Sequence, residues 1–200
     1  MTTGFWVILL TVLVYGLAHS ILASYGAKRR ARQWFGKNSE RWFRLFYNFI
    51  AAITLLPVLV LPVVLVDKEL YSIPFPWVIL TISIQLLAIA ALVLGLRQTG
   101  LWSFVGLRQL IREPDITPTP LVTGGLYRWV RHPLYTAGLI FIWFSPVMTY
   151  NLLALFIGLT IYIVIGAIYE ERKLEREYGQ SYRDYQARTP MLIPGLKIRK

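Results

Sequence analysis

Residues 123–138 read TGGLYRWVRHPLYTAG and residues 170–195 read EERKLEREYGQSYRDYQARTPMLIPG, and the stretch between them, 139–169, contains no lysine, arginine, aspartate or glutamate. A helix needs roughly 20 mostly apolar residues to cross the hydrocarbon core of a bilayer. The apolar block, entered at Leu134, is long enough to cross and return, as one run from Leu134 to Tyr150 and another from Asn151 to Tyr169. A helical hairpin follows over 134–169, with both polar flanks on the same side of the membrane.

The rest of the chain agrees with that reading. Fifty-six per cent of its 200 residues are hydrophobic, well above the share in soluble domains. Three further apolar runs lie at Phe5 to Ala23, Phe43 to Val66 and Trp77 to Leu96. The fold class expected is therefore an all-α integral membrane protein with five transmembrane helices, a carboxyl-terminal hairpin and interfacial helices.

The charges test this partition. The net charge is +11, and every lysine and arginine except Lys68 falls between runs one and two (with Arg44 just inside run two), between runs three and four, or in the tail. Five spans place all of these on one side, so the positive-inside rule sets the amino terminus outside and the carboxyl terminus in the cytoplasm. Because the basic residues border apolar spans and form no separate domain, anionic headgroups are the simpler partner and nucleic acid is not expected. The first run is followed, not preceded, by basic residues, so it is expected to be a retained anchor and not a cleaved signal. With no cysteine and two histidines, disulfides, thiolate chemistry and a conventional zinc site are not expected.

Pro57 and Pro62 are expected to bend the second span. Residues 97–122 are too polar to span and are expected to form a membrane-surface helix and a rigid loop. In the tail, Leu174, Tyr178, Tyr182 and Tyr185 are expected to line one face of an interfacial helix, with Gly179 as a break and with Tyr182 and Tyr185 as interfacial anchors.

Pro133 suits the first turn of a helix, where its missing donor is not needed. Arg131 and His132 then flank a helix start, and an antiparallel hairpin brings them and Tyr135 to Glu170 and Glu171. Such a site offers an arginine and free backbone N–H groups for a carboxylate, glutamates for an ammonium or ribose hydroxyl, and aromatic faces for a cation. Those groups complement the parts of S-adenosylmethionine, although a nucleotide or an anionic lipid would also find partners. The histidine in span one, His19, is a separate candidate, because ionisable groups within spans mark function by default.

In combination, Gly125-Leu126-Tyr127, Arg131-His132-Pro133-Leu134-Tyr135 with Gly138, Glu170-Glu171, Tyr178-Gly179 with Tyr182 and Tyr185, and Ile193-Pro194 resemble the carboxyl-terminal signature of the isoprenylcysteine carboxyl methyltransferase family, itself similar to the phospholipid methyltransferases. The resemblance covers slightly over a third of the chain. It implies a membrane enzyme that transfers a methyl group from S-adenosylmethionine to a lipophilic or small acceptor at the cytoplasmic surface: an isoprenylcysteine carboxylate, a thiol or a lipid amine. It also implies that Gly125, Leu126, Tyr127, His132, Pro133, Tyr135, Gly138, Glu170 and Tyr178 hold the cofactor, and that Glu170, Glu171 and Arg131 act in catalysis.

On this reading 1–200 is one membrane domain, with 1–96 on the substrate side, 97–200 binding the cofactor and 170–200 a cytoplasmic tail. His19-Ser20 and Arg44-Leu45-Phe46-Tyr47-Asn48 look more like the NnrU-like and thiol methyltransferase branches. Alternative functions are a haem-binding isomerase or redox protein of that type, and a non-catalytic lipid-binding membrane protein. Transport is less attractive, since the spans hold few polar residues and no repeat pair.

Overall fold

The computed structural model describes residues 2–36, 39–99 and 120–196. In chain order these form α1 (Thr3–Ala23), α2 (Tyr25–Phe35), α3 (Ser39–Val64), β1 (Glu69–Ser72), α4 (Trp77–Thr99), a single 3-10 turn (Gly125–Arg128), α5 (Pro133–Trp143), β2 (Val147–Thr149), α6 (Tyr150–Tyr178) and α7 (Gln180–Arg188). β1 and β2 pair into a two-stranded sheet. Much of the surface-helix segment expected over 97–122 lies outside the described residues; residues 97–99 end α4.

Local chemistry sets several boundaries. The Thr2 hydroxyl accepts the Phe5 N–H and caps α1, and the Ser24 hydroxyl accepts the Ala27 N–H and caps α2. α3 continues through Pro57 and Pro62. Gly179, at φ +57°, stops α6 and lets the chain turn into α7.

Among the described residues, four helices are long and apolar enough to cross a membrane: Thr3–Ala23, Leu45–Val64, Trp77–Gln98 and Tyr150–Tyr178. Their large apolar side chains point outward, with Val63 83% and Leu87 71% exposed. An apolar surface of this extent suits lipid and not water.

The fifth expected span departs from the sequence reading. Leu134 to Tyr150 is not one helix: α5 has 11 residues, about 16 Å, and a turn and β2 follow it. Ser145-Pro146 interrupts the apolar run, and proline cannot continue a helix ladder. The tight hairpin at Tyr150-Asn151 is accordingly replaced by a turn and a short strand.

α6 has 29 residues, about 43 Å, against roughly 30 Å of hydrocarbon. Its charged end, from Glu170 onward, therefore lies beyond its apolar part.

The described residues fall into two compact units, one of 2–71 with 148–159 and the other of 72–99, 120–147 and 160–196. In the first, α1 packs on α3, and α2 on both. Close approach to the start of α6 depends on glycine: a Cβ at Gly158 would lie 2.9 Å from Val12 Cγ1, and one at Gly4 would lie 2.7 Å from Asn151 Oδ1. Asn151 is fully buried. Its side chain donates to the Leu65 carbonyl (3.2 Å) and accepts from the Thr2 hydroxyl (3.4 Å), while its backbone N–H donates to Asp67 Oδ1 (3.1 Å).

In the second unit α4 packs on α5. Leu134 lies over Gly95, and Gln85 Nε2 donates to the Phe141 carbonyl at 2.8 Å.

Removing the Asn151 side chain leaves the Leu65 carbonyl without this donor. Asn151→Ala is expected to cost about 1–3 kcal/mol, read as a lowered midpoint of thermal unfolding in detergent.

Candidate functional site

The site lies wholly in the second unit and is built around the Glu171 carboxylate. Pro133 opens α5, with His132 at its N-cap, so Arg131 and His132 project from the chain just before the helix. On α6, Glu170 and Glu171 follow the last apolar turn. Arg131 grips Glu171 with two parallel bonds, Nε to Oε1 at 2.7 Å and Nη2 to Oε2 at 2.6 Å, the strong fork geometry of guanidinium and carboxylate. His132 Nε2 lies 2.9 Å from Glu171 Oε1. From α7, the Tyr182 hydroxyl donates to Oε1 (2.8 Å) and Gln186 Nε2 to Oε2 (2.7 Å).

These bonds decide the charge state. Burial pushes the Glu171 carboxyl up, but the bonds from His132, Arg131, Tyr182 and Gln186 outweigh it and hold the group well below the ordinary carboxylate range. Glu171 stays ionised, so it can only accept. The Tyr182 hydroxyl is pushed up in turn, by burial first and then by its bond to Glu171. Tyr185 is pushed up to about 12 by burial, against the opposing charge of Arg131.

The chain after α7 straps this cluster in place. Arg131 Nη1 donates to the carbonyls of Gln186 and Thr189. The backbone N–H groups of Arg131 and His132 donate to the carbonyls of Pro190 (2.9 Å) and Met191 (3.1 Å). The Thr136 hydroxyl donates to the Leu192 carbonyl at 2.7 Å, and Tyr185 donates to the Tyr127 carbonyl.

Glu170 is in a different state. Its side chain is 44% exposed, against 10% for Glu171. Oε2 accepts the Tyr135 hydroxyl at 2.9 Å and lies 3.7 Å from His132 Nδ1. The Tyr135 and His132 rings stack, centroids 5.4 Å apart and 16° between planes. Tyr127 stands close enough that the Glu170 charge adds to burial in raising its hydroxyl.

The structure thus brings together Tyr127, Arg131, His132, Pro133, Tyr135, Glu170 and Glu171. Gly125, at φ +62°, begins the 3-10 turn that carries Leu126 and Tyr127, with the Gln98 side chain packed against it. Leu126 reaches towards Gly95 on α4. Two other expected residues stand outside the hydrogen-bonded cluster. Gly138 is on α5, one turn past Tyr135, with open space where a Cβ would be. Tyr178 ends α6, about 10 Å along the helix from Glu171.

The expectation that Tyr182 and Tyr185 are interfacial anchors is overturned, since they are only 1% and 5% exposed and bond into the cluster. Gln186 and Thr189 were not expected at all. Their one sequence signal is a helix-breaking glycine placed before a tyrosine pair three apart, which does not say what the tyrosines touch.

His19 lies in the other unit, 3.0 Å from the Tyr47 hydroxyl and flanked by the Tyr15 and Tyr47 rings. Among the described residues, no group of three or more histidines and carboxylates could hold a metal ion.

Residues 6–189 match the model of a family described as "Protein of unknown function (DUF1295)". The chain belongs to this family. It is similar to "Methanethiol S-methyltransferase 1" of Bradyrhizobium diazoefficiens, at 31% identity over 196 residues, 93% of this chain and 65% of that protein. It is also similar to "Methanethiol S-methyltransferase" of Crocosphaera subtropica (36% over 118 residues, 59% and 43%) and to the protein of that name from Mycobacterium tuberculosis (44% over 69 residues, 34% and 28%). The chain thus spans between about a quarter and two thirds of the length of these relatives. Their names agree with the methyltransferase resemblance of residues 123–194. No solved structure matches the chain.

Glu171→Gln leaves Arg131 and its partners without the matching charge, a loss of about 3–5 kcal/mol for a buried pair. A carboxyl held low contributes stability that is complete above its unfolded value, about 4.3, and falls away as pH drops below that. Wild-type protein in detergent is therefore expected to lose stability below about pH 4, and Glu171→Gln to show a shallower loss there, both read by denaturant unfolding at stepped pH. Tyr182→Phe removes one bond to the same carboxylate and is expected to cost about 1.5–3 kcal/mol.

Proposed function

We propose that this chain is an integral membrane methyltransferase that moves a methyl group from S-adenosylmethionine to a small thiol. The observation that carries this reading is the half-exposed carboxylate of Glu170, with the stacked Tyr135 and His132 rings beside it, set on a rigid base by Arg131 and Glu171. The names of the relatives support the thiol as acceptor.

The residues present fit the proposed cofactor by their chemistry. A carboxylate suits its ammonium or ribose hydroxyls, and aromatic faces suit its sulfonium and adenine. Gly125, Leu126, Tyr127, Pro133, Tyr135, Gly138 and Tyr178 are proposed as the walls of the pocket, and His132 and Glu170 as its polar side. Bound there, the cofactor would supply a methyl carbon already activated by positive sulfur. The protein's part is to align the acceptor and exclude water. Arg131 and Glu171 are proposed to act by positioning, because their polar atoms are taken up by each other, by His132, by α7 and by the Thr189 carbonyl.

We also propose that the connection from α5 through β2 is the fifth crossing. α5 begins beside Glu170, and β2 runs directly into Tyr150, 20 residues or about 30 Å away along α6. Pairing of β2 with β1 satisfies the backbone groups on one edge of each strand, and the other edges need protein or interfacial water. Five crossings put the amino terminus outside and the site at the cytoplasmic surface, as the charge distribution favours.

Purified protein in lipid, given labelled S-adenosylmethionine and a panel of small thiols, prenylated thiols, phospholipids and lipophilic carboxylic acids, is expected to label the small thiol. It is also expected to bind S-adenosylhomocysteine in calorimetry. No binding of S-adenosylhomocysteine by the folded protein would overturn the proposal.

A further inference from the structure

Methylating a thiol, unlike methylating a carboxylate, releases a proton, and the site contains two adjacent glutamates and a histidine that could receive it. Their surroundings separate them. Glu171 already accepts four side chains and lies under α7. Because an ionised carboxylate offers no proton, His132 must donate from Nε2 to Glu171. In the neutral imidazole that leaves the lone pair on Nδ1, the nitrogen 3.7 Å from Glu170. His132 itself is 5% exposed and out of an acceptor's direct reach, whereas Glu170 is 44% exposed. Among the described residues, the hydrogen bond that Glu170 accepts goes to Oε2, from Tyr135.

Resting on the methyltransferase reading above, we propose that Glu170 is the catalytic base that takes the proton of the thiol acceptor, with Glu171 as the residue that positions His132 beside it. As the acceptor sulfur bonds to the methyl carbon of a sulfonium donor, the donor's carbon–sulfur bond breaks and its electron pair remains on the donor sulfur, giving a neutral thioether. The electron pair of the acceptor's S–H bond stays on the acceptor sulfur, and the proton passes to Glu170.

His132 lies between two carboxylates, Glu170 on one side and Glu171 on the other. Among the described residues, Arg131, paired to Glu171, and the hydroxyls of Tyr135 and Tyr182 also border the pair. The exposed edge of Glu170 lets the proton leave to water between turnovers.

This arrangement predicts a dependence on the acidity of the acceptor that a structural role for Glu170 would not produce. Glu170→Gln keeps the size and polarity of an exposed side chain. With an alkanethiol, which is protonated at neutral pH, its turnover is expected to fall by about a hundredfold or more, the range of a lost general base. With an arenethiol bearing electron-withdrawing groups, already a thiolate at the assay pH, turnover is expected to change by no more than about threefold on the same scale.

Because Glu170 also forms the polar side of the proposed cofactor pocket, S-adenosylhomocysteine affinity is measured by calorimetry without any turnover, and both thiols are then compared at saturating S-adenosylmethionine, where any loss of cofactor affinity is the same for either thiol. Equal losses with both thiols at saturating cofactor would overturn the assignment and leave Glu170 as a cofactor ligand alone. That result leaves the methyltransferase reading standing if the wild type still methylates the alkanethiol. Wild-type protein that binds S-adenosylhomocysteine but methylates neither thiol overturns both.

Discussion

A carboxylate taken out of water costs several kcal/mol unless its lone pairs are met by donors and its charge by a cation. Glu171 meets that condition with four side chains from two stretches of chain: Arg131 and His132 before α5, and Tyr182 and Gln186 on α7. Each partner also bonds elsewhere or lies buried beside a neighbour, so one charge ties down the start of α5, the end of α6 and the carboxyl-terminal strap. The second unit's polar end is organised around this single group.

That arrangement explains why two neighbouring glutamates behave differently. Successive residues on a helix point about 100° apart. Glu171 turns in, towards the fork of Arg131, and Glu170 turns towards Tyr135 and solvent. The buried carboxylate holds Nε2 of His132 and sets the ring's direction, and the exposed one faces the other nitrogen of that ring. A rigid base under a half-open carboxylate is what the proposed chemistry requires, since methyl transfer depends on alignment more than on strong acids or bases.

The membrane imposes the second constraint. α6 is longer than the hydrocarbon is thick, and the excess at its end carries the charges. The site is thereby placed where apolar helix gives way to polar helix. The connection from α5 to α6 is not a full helix because Ser145-Pro146 interrupts it, and β2, paired with β1, leads into α6 instead.

By itself the sequence determined what composition and periodicity encode: three apolar runs that became α1, α3 and α4, the apolar part of α6, the start of α5 at Pro133, and the meeting of Arg131, His132 and Tyr135 with Glu170 and Glu171. These are local or depend only on how long a helix must be to cross a bilayer. Tertiary structure decided what depends on distant partners. Tyr182 and Tyr185 have the composition of interfacial anchors, and only their contacts with Glu171 and Tyr127 make them buried parts of the site. The contrast between Glu170 and Glu171 was equally invisible in two identical letters, because burial is fixed by which helix face meets Arg131 and α7, and spacing alone does not carry that information.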